Sequence, residues 1–93
     1  MIMTFHDKNA EALFNDRPVL RFKAIEKIIR RKLLYLHGAK TLKDLLIPPA
    51  NRLEGLSGNR EGQYSIRIND QWRICFKWQD GNAYDVEIVD YHH

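Results

Sequence analysis

Glu54, Arg67, Arg73, Lys77, Glu87 and Tyr91 all fall on the polar phase of alternating segments in the C-terminal half, and His92 follows at the chain end. If these segments pair as simple hairpins, the side chains share one sheet face. Such a set has the parts for cutting RNA without a metal. Attack by the neighbouring 2′-hydroxyl needs a base to take its proton, cations to hold the charge on phosphorus, and an acid for the departing 5′-oxygen. Arginine suits the middle role because its planar fork matches phosphate oxygens and stays protonated. Histidine titrates near neutrality, and tyrosine can stack on a base. The same spacing equally describes ordinary cross-strand ion pairs on a solvated face.

The elements that must position these groups are legible as periodicity. Tyr64, Ile66 and Ile68 alternate with Ser65, Arg67 and Asn69; Trp72, Ile74, Phe76 and Trp78 alternate with Arg73, Cys75 and Lys77; Tyr84, Val86 and Ile88 alternate with Asp85, Glu87 and Val89. A period of two puts each apolar set on one face of a sheet. Asn69-Asp70 and Asp80-Gly81-Asn82 are the hairpin turns, and Ser57–Gly62 is a loop with two glycines able to take positive φ. Asn51–Ser57 reads as the first long strand, with Leu53 inward and Arg52 and Glu54 outward.

The apolar sheet face needs a cover, which the N-terminal half can supply. Leu20–His37 reads as one helix, with Ala24, Ile25, Ile28, Ile29, Leu33 and Leu36 at three- and four-residue spacing, and with Gly38 as its C-cap. Lys23, Lys27, Arg30 and Arg31 line the other side, with Lys32 a further cation near the last turns. Ahead of this helix, Met1–Phe5 reads as an edge strand, and Asp7–Asn9 can cap a short helix over Ala10–Phe14 that ends before Pro18. Thr41 and Asp44 form a capping box for a brief helix through Leu46.

At 93 residues the chain is one domain, 1–93, with one core. No apolar run is long enough to span a bilayer, and no h-region opens the chain, which points to the cytoplasm. The lone Cys75 reads as a small strand residue; one thiol is a poor basis for a metal site. The net charge of +3 is uneven: residues 1–50 hold ten Lys and Arg against five Asp and Glu, and residues 51–93 hold five against seven. The basic surplus lies on the helical part and suggests an anionic partner, although a solvated helix face looks the same. There is no GxSxG, P-loop, HExxH or CxxC motif.

Three stretches carry a resemblance: Asn51-Arg-Leu-Glu-Gly-Leu56, the run from Gly58 to Phe76, and the ending from Val86 to His92. On these the chain resembles the HigB toxins of bacterial toxin–antitoxin modules, a branch of the RelE/ParE superfamily. The resemblance implies an α+β, RelE-like fold in which an N-terminal helical hairpin packs on one face of a mainly antiparallel four- to five-stranded sheet. It implies a ribosome-dependent mRNA endonuclease that works without a cofactor in the ribosomal A site and leaves a 2′,3′-cyclic phosphate or its opened product. It also implies a helix-turn-helix antitoxin as partner, in a heterotetrameric complex that meets DNA only through the antitoxin. Arg73 matches the family's arginine for the transition state, and Asp90, Tyr91 and His92 match its C-terminal active-site cluster. Glu54 stands where some HigB toxins carry a histidine, a departure that implies a slow or mild enzyme. Lys23, Lys27, Arg30, Arg31, Arg52, Arg60, Arg67 and Lys77 are the candidate contacts to RNA and ribosome. The alternatives are a ParE-like toxin that inhibits gyrase and cuts nothing, and a non-enzymatic RNA- or protein-binding domain.

Overall fold

The computed structural model describes residues 1–91. Strands β1 (Glu54–Gly55), β2 (Gln63–Arg67), β3 (Trp72–Gln79) and β4 (Asn82–Asp90) form a sheet in sequence order, each antiparallel to the next. Helices α1 (Lys8–Phe14) and α2 (Glu26–Gly38) pack together over one of its faces. The pairing puts Tyr64 opposite Phe76 and Ile66 opposite Ile74 on that inner face, and Ser65 opposite Cys75 and Arg67 opposite Arg73 on the outer one. Ile66, Ile74, Phe76 and Val86 meet Leu13, Ile29, Leu33 and Leu36 in a fully buried core. Truncating one of these, Leu33→Ala for instance, costs about 2–5 kcal/mol.

Asp7 starts α1 and ties it to the sheet. One carboxylate oxygen accepts from the amides of Asn9 (2.6 Å) and Ala10 (3.2 Å), and the other accepts from Ile88 of β4 at 3.0 Å. The first residues do not form the expected edge strand. They lie parallel to β4 through two isolated bridges, Ile2 to Ala83 and Phe5 to Val86. His37 of α2 holds them from the other side, its Nδ1 accepting from the Ile2 amide at 3.1 Å.

Several expectations need correction. The Leu20–His37 helix is split into a 3₁₀ turn over Leu20–Ile25 and α2, because Ile25 leaves helical geometry at φ −122°, ψ 12°. That turn seats Phe22 edge-on against Trp72 at 4.9 Å and leaves Ala24 exposed rather than in the core stripe. Gly38 is the last residue of α2, and Ala39, in extended geometry, is the cap. Lys32, read from the sequence as a cation near the last turns, is buried.

Asn51–Ser57 is not a long strand. Asn51 closes a 3₁₀ turn over Pro49–Asn51, and its buried amide accepts from Lys32 Nζ (2.6 Å) while donating to the carbonyls of Leu45 (3.2 Å) and Ile47 (3.4 Å). Arg52 then takes φ +44°, which turns the chain and leaves only Glu54–Gly55 to pair with β2. Finally, a bulge in β4 sets four residues, Tyr84 to Glu87, against the three of β3 from Cys75 to Lys77. Asp85 absorbs it at φ +53°. The phase changes there: Ala83 is the buried residue and Tyr84 pairs with Lys77 on the outer face, contrary to the simple alternation.

Candidate active site

Arg73 occupies the middle of the outer face and is 8% exposed. Its Nε donates to Ser65 Oγ at 2.8 Å, diagonally across to β2. Its Nη2 donates to the Arg52 carbonyl at 2.5 Å and lies 3.3 Å from Glu54 Oε1. The Tyr91 ring sits 5.7 Å from its guanidinium carbon. The left-handed turn at Arg52 thus aims a carbonyl at the guanidinium and delivers Glu54 to it. Arg52, Glu54, Arg67, Asn69, Asp70, Arg73 and Tyr91 line a concavity of about 280 Å³.

Tyr91 is positioned through its own backbone, whose amide donates to the Gln71 carbonyl at 2.6 Å. Its hydroxyl lies 3.8 Å from Cys75 Sγ. Burial and the neighbouring thiol push the phenol up from its ordinary value, and burial likewise raises the Cys75 thiol. Both therefore stay protonated near neutral pH, and Tyr91 acts as a hydrogen-bond donor rather than a base.

Further along the same face a second group gathers on Glu87. Its two oxygens meet Arg60 Nη1 at 2.5 Å and His6 Nε2 at 3.5 Å, and Arg60 Nη1 also donates to Gln63 Oε1 at 3.1 Å. The hydrogen bond that Arg60 donates to Glu87 raises the Arg60 pKa above its usual value. Lys77 pairs with Asp85 at 3.1 Å.

Comparison with known proteins places this arrangement. The family model for the RelE-like HigB toxin of type II toxin–antitoxin systems matches residues 3–92. The chain belongs to the HigB-like toxin family. Toxin HigB-1 of Vibrio cholerae is 45% identical over 90 residues, 95% of each chain. Endoribonuclease HigB of Proteus vulgaris is 44% identical over 41 residues, 44% of this chain and 45% of that one. Among solved structures, YafQ from E. coli aligns with a TM-score of 0.62 at 13% identity, covering 98% of this chain and 94% of that one. The YoeB chain of a heterotetrameric YoeB–YefM toxin–antitoxin complex from Staphylococcus aureus aligns with a TM-score of 0.58 at 22% identity, covering 100% and 99%. These structures share the fold, and membership of a type II family makes an antitoxin the chain's partner.

In this HigB-like toxin the structure brings together Glu54, Arg73 and Tyr91, with Arg52 and Arg67 on the rim. Asp90 pairs with Trp72, one residue out of phase with Arg73, and accepts from Gln71 Nε2 at 3.3 Å. His92 lies outside the described residues. Lys23 of the 3₁₀ turn and Lys27 and Arg31 of α2 are exposed, but Arg30 is tied down. Its Nε donates to the Leu13 carbonyl and its Nη2 to the Arg17 carbonyl, both at 3.1 Å, and it pairs with Asp16 and Glu26. Arg60 and Lys77 lie with the Glu87 group, and Arg67 pairs with Asp70 at 2.5 Å. Ser65 and Cys75 were not expected as site residues. Alternation put them on the outer face, but only cross-strand register gives Ser65 to Arg73 and Cys75 to Tyr91. His6 carried no signal, because the parallel seat of Met1–Phe5 brings it there.

Proposed function

We propose that this HigB-like toxin is an endoribonuclease that cuts translated mRNA in the ribosomal A site and so arrests translation in the cytoplasm. The observation that carries the reading is Arg73, a buried guanidinium held by a hydroxyl and a carbonyl, at the floor of a concavity it shares with Glu54 and Tyr91. A preorganised cation of this kind stabilises charge that grows on a phosphorane. Glu54 Oε1 beside Arg73 is the candidate base for the 2′-hydroxyl, with Tyr91 donating to a phosphate oxygen. The 2′-oxygen bonds to phosphorus, the bond to the 5′-oxygen breaks, and that oxygen takes a proton. His92 is the proposed acid, on the resemblance of the chain end. A carboxylate is by its ordinary pKa a weaker base than the histidine some HigB toxins carry there, which supports a slow enzyme. Holding the message in line on the ribosome offsets this, since positioning supplies about 7–11 kcal/mol.

Lys23, Lys27 and Arg31 are the proposed docking cations for ribosomal RNA, with Arg52 and Arg67 guiding the message at the rim. A helix-turn-helix antitoxin in a heterotetramer is the proposed neutralising complex, which alone would meet DNA. The test is translation-coupled cleavage with purified ribosomes, mapped by primer extension, using wild type, Arg73→Ala and a chain ending at Tyr91. Ribosome-dependent cuts that vanish with Arg73→Ala are expected, and cuts weakened by the truncation place the acid at His92. Growth arrest without any cut, together with inhibited gyrase supercoiling, would overturn the reading.

A further inference from the structure

The largest concavity on the outer face is not the one at Arg73. It holds about 400 Å³ and is lined by His6, Asn59, Arg60, Gln63, Lys77, Asp85 and Glu87. Its charges balance: Arg60 is matched by Glu87 and Lys77 by Asp85. Two carboxylates in the wall oppose a phosphate, and the polar lining disfavours an apolar ligand. A neutral heterocycle with donors and acceptors along its edge fits both constraints.

The polar groups are also fixed in direction. Glu87, 14% exposed at its side chain, clamps Arg60 on one side, and Gln63 Oε1 takes a second contact from the same nitrogen. Both contacts use Nη1, which leaves Nη2 and Nε of a partly exposed guanidinium as further donors. With its oxygen engaged, the Gln63 amide presents its NH₂. Groups held this way can discriminate between bases, as freely rotating surface amides cannot.

The location fits a neighbouring nucleotide. The concavity begins at Glu87, opposite Cys75 and two residues along β3 from Arg73, and extends to Gln63, opposite Lys77 and four residues along. These steps span about 7 to 13 Å of strand, a distance that one nucleotide step and the reach of its base can bridge. We propose that this concavity seats and reads the base of a nucleotide adjacent to the scissile phosphate, with Arg60, Gln63 and Asn59 as the specificity-determining residues. The inference rests on the endoribonuclease reading and adds a subsite to it.

The experiment compares cuts across a transcript library translated with wild type, the double variant Asn59→Ala/Gln63→Ala, and Glu87→Gln, which unclamps Arg60. The readout is the ratio of cutting between the most and least favoured bases at each position, which does not depend on total rate. A good base contact is worth tenfold or more in such a ratio. The expected result is a fall of about tenfold at one of the two positions flanking the cut, with the other unmoved. Unchanged ratios with both variants would overturn the subsite while leaving the nuclease in place. A uniform drop at all bases with an altered salt dependence would also overturn it, in favour of a phosphate contact. If wild type cuts nothing, the endoribonuclease reading fails and this subsite fails with it.

Discussion

Lys32 and Arg73 are almost equally withdrawn from solvent, at 7% and 8% exposure, yet their surroundings differ in kind. Lys32 Nζ meets a neutral amide oxygen of Asn51 and the Tyr35 ring at 5.7 Å. Burial, with the charges of Arg31 and Arg67 added, pushes its pKa down. Arg73 meets a hydroxyl, a carbonyl, a carboxylate and an aromatic face, and it lines an open concavity. One cation is sealed between α2 and the 3₁₀ turn that shapes the approach to β1. The other is preorganised toward a space where a ligand can enter. Burial of a charge therefore does not identify a site; what matters is whether the charge still faces a cavity once its partners are counted.

The sharpest break in this comparison comes from Arg73→Ala, which should lower single-turnover RNA cleavage by about 10²–10³-fold. Arg73→Lys should recover little of it, because an ammonium cannot reproduce the fork. Lys32→Met should change cleavage by less than about tenfold, and a larger loss would erase the distinction.

Glu54 sharpens the chemistry at the Arg73 end. Glu54→Ala should slow cleavage by about 10²-fold, the lower part of the range for losing a general base, and Glu54→His should restore much of it. A pre-steady-state rate for Glu54→Ala equal to wild type would strip Glu54 of the base role.

Lys32 tests the other half of the comparison through stability. Lys32→Ala leaves the Asn51 oxygen without its partner and should cost about 1–3 kcal/mol in urea denaturation. The folded chain holds the Lys32 proton less tightly than the unfolded one. Stability should therefore rise with pH toward the ordinary lysine value of 10.5 and level off above it, and Lys32→Met should lack this rise. Parallel pH profiles for the two proteins would contradict it.

The smallest effect concerns the exposed cations of α2 and of the 3₁₀ turn before it. Reversing Lys23, Lys27 and Arg31 together should leave stability within about 0.5 kcal/mol. It should slow ribosome-dependent cleavage several-fold at low salt and less at high salt. Arg30→Glu, made separately, should destabilise the chain, because Arg30 carries the carbonyls of Leu13 and Arg17. Equal thermal stability for Arg30→Glu and wild type would return Arg30 to the docking set.

The sequence by itself determined the antiparallel strands, both hairpin turns, the core face of β2 and β3, and the placement of Glu54 and Arg73 on the outer face. These follow from the pleat and from turn chemistry, which are local properties of the chain. The Thr41–Asp44 capping box was legible for the same reason. The tertiary structure alone decided the rest. Whether Ser65 or another residue holds Arg73 depends on cross-strand register. The bulge at Asp85 shifts the pairing of β4 with β3 by one residue and sends Tyr84 outward. Asp90 falls out of phase with Arg73, His6 arrives from the far end of the chain, and Arg30 turns back onto α1. Each of these depends on how distant segments meet, and a period of two contains no information about which segments those are.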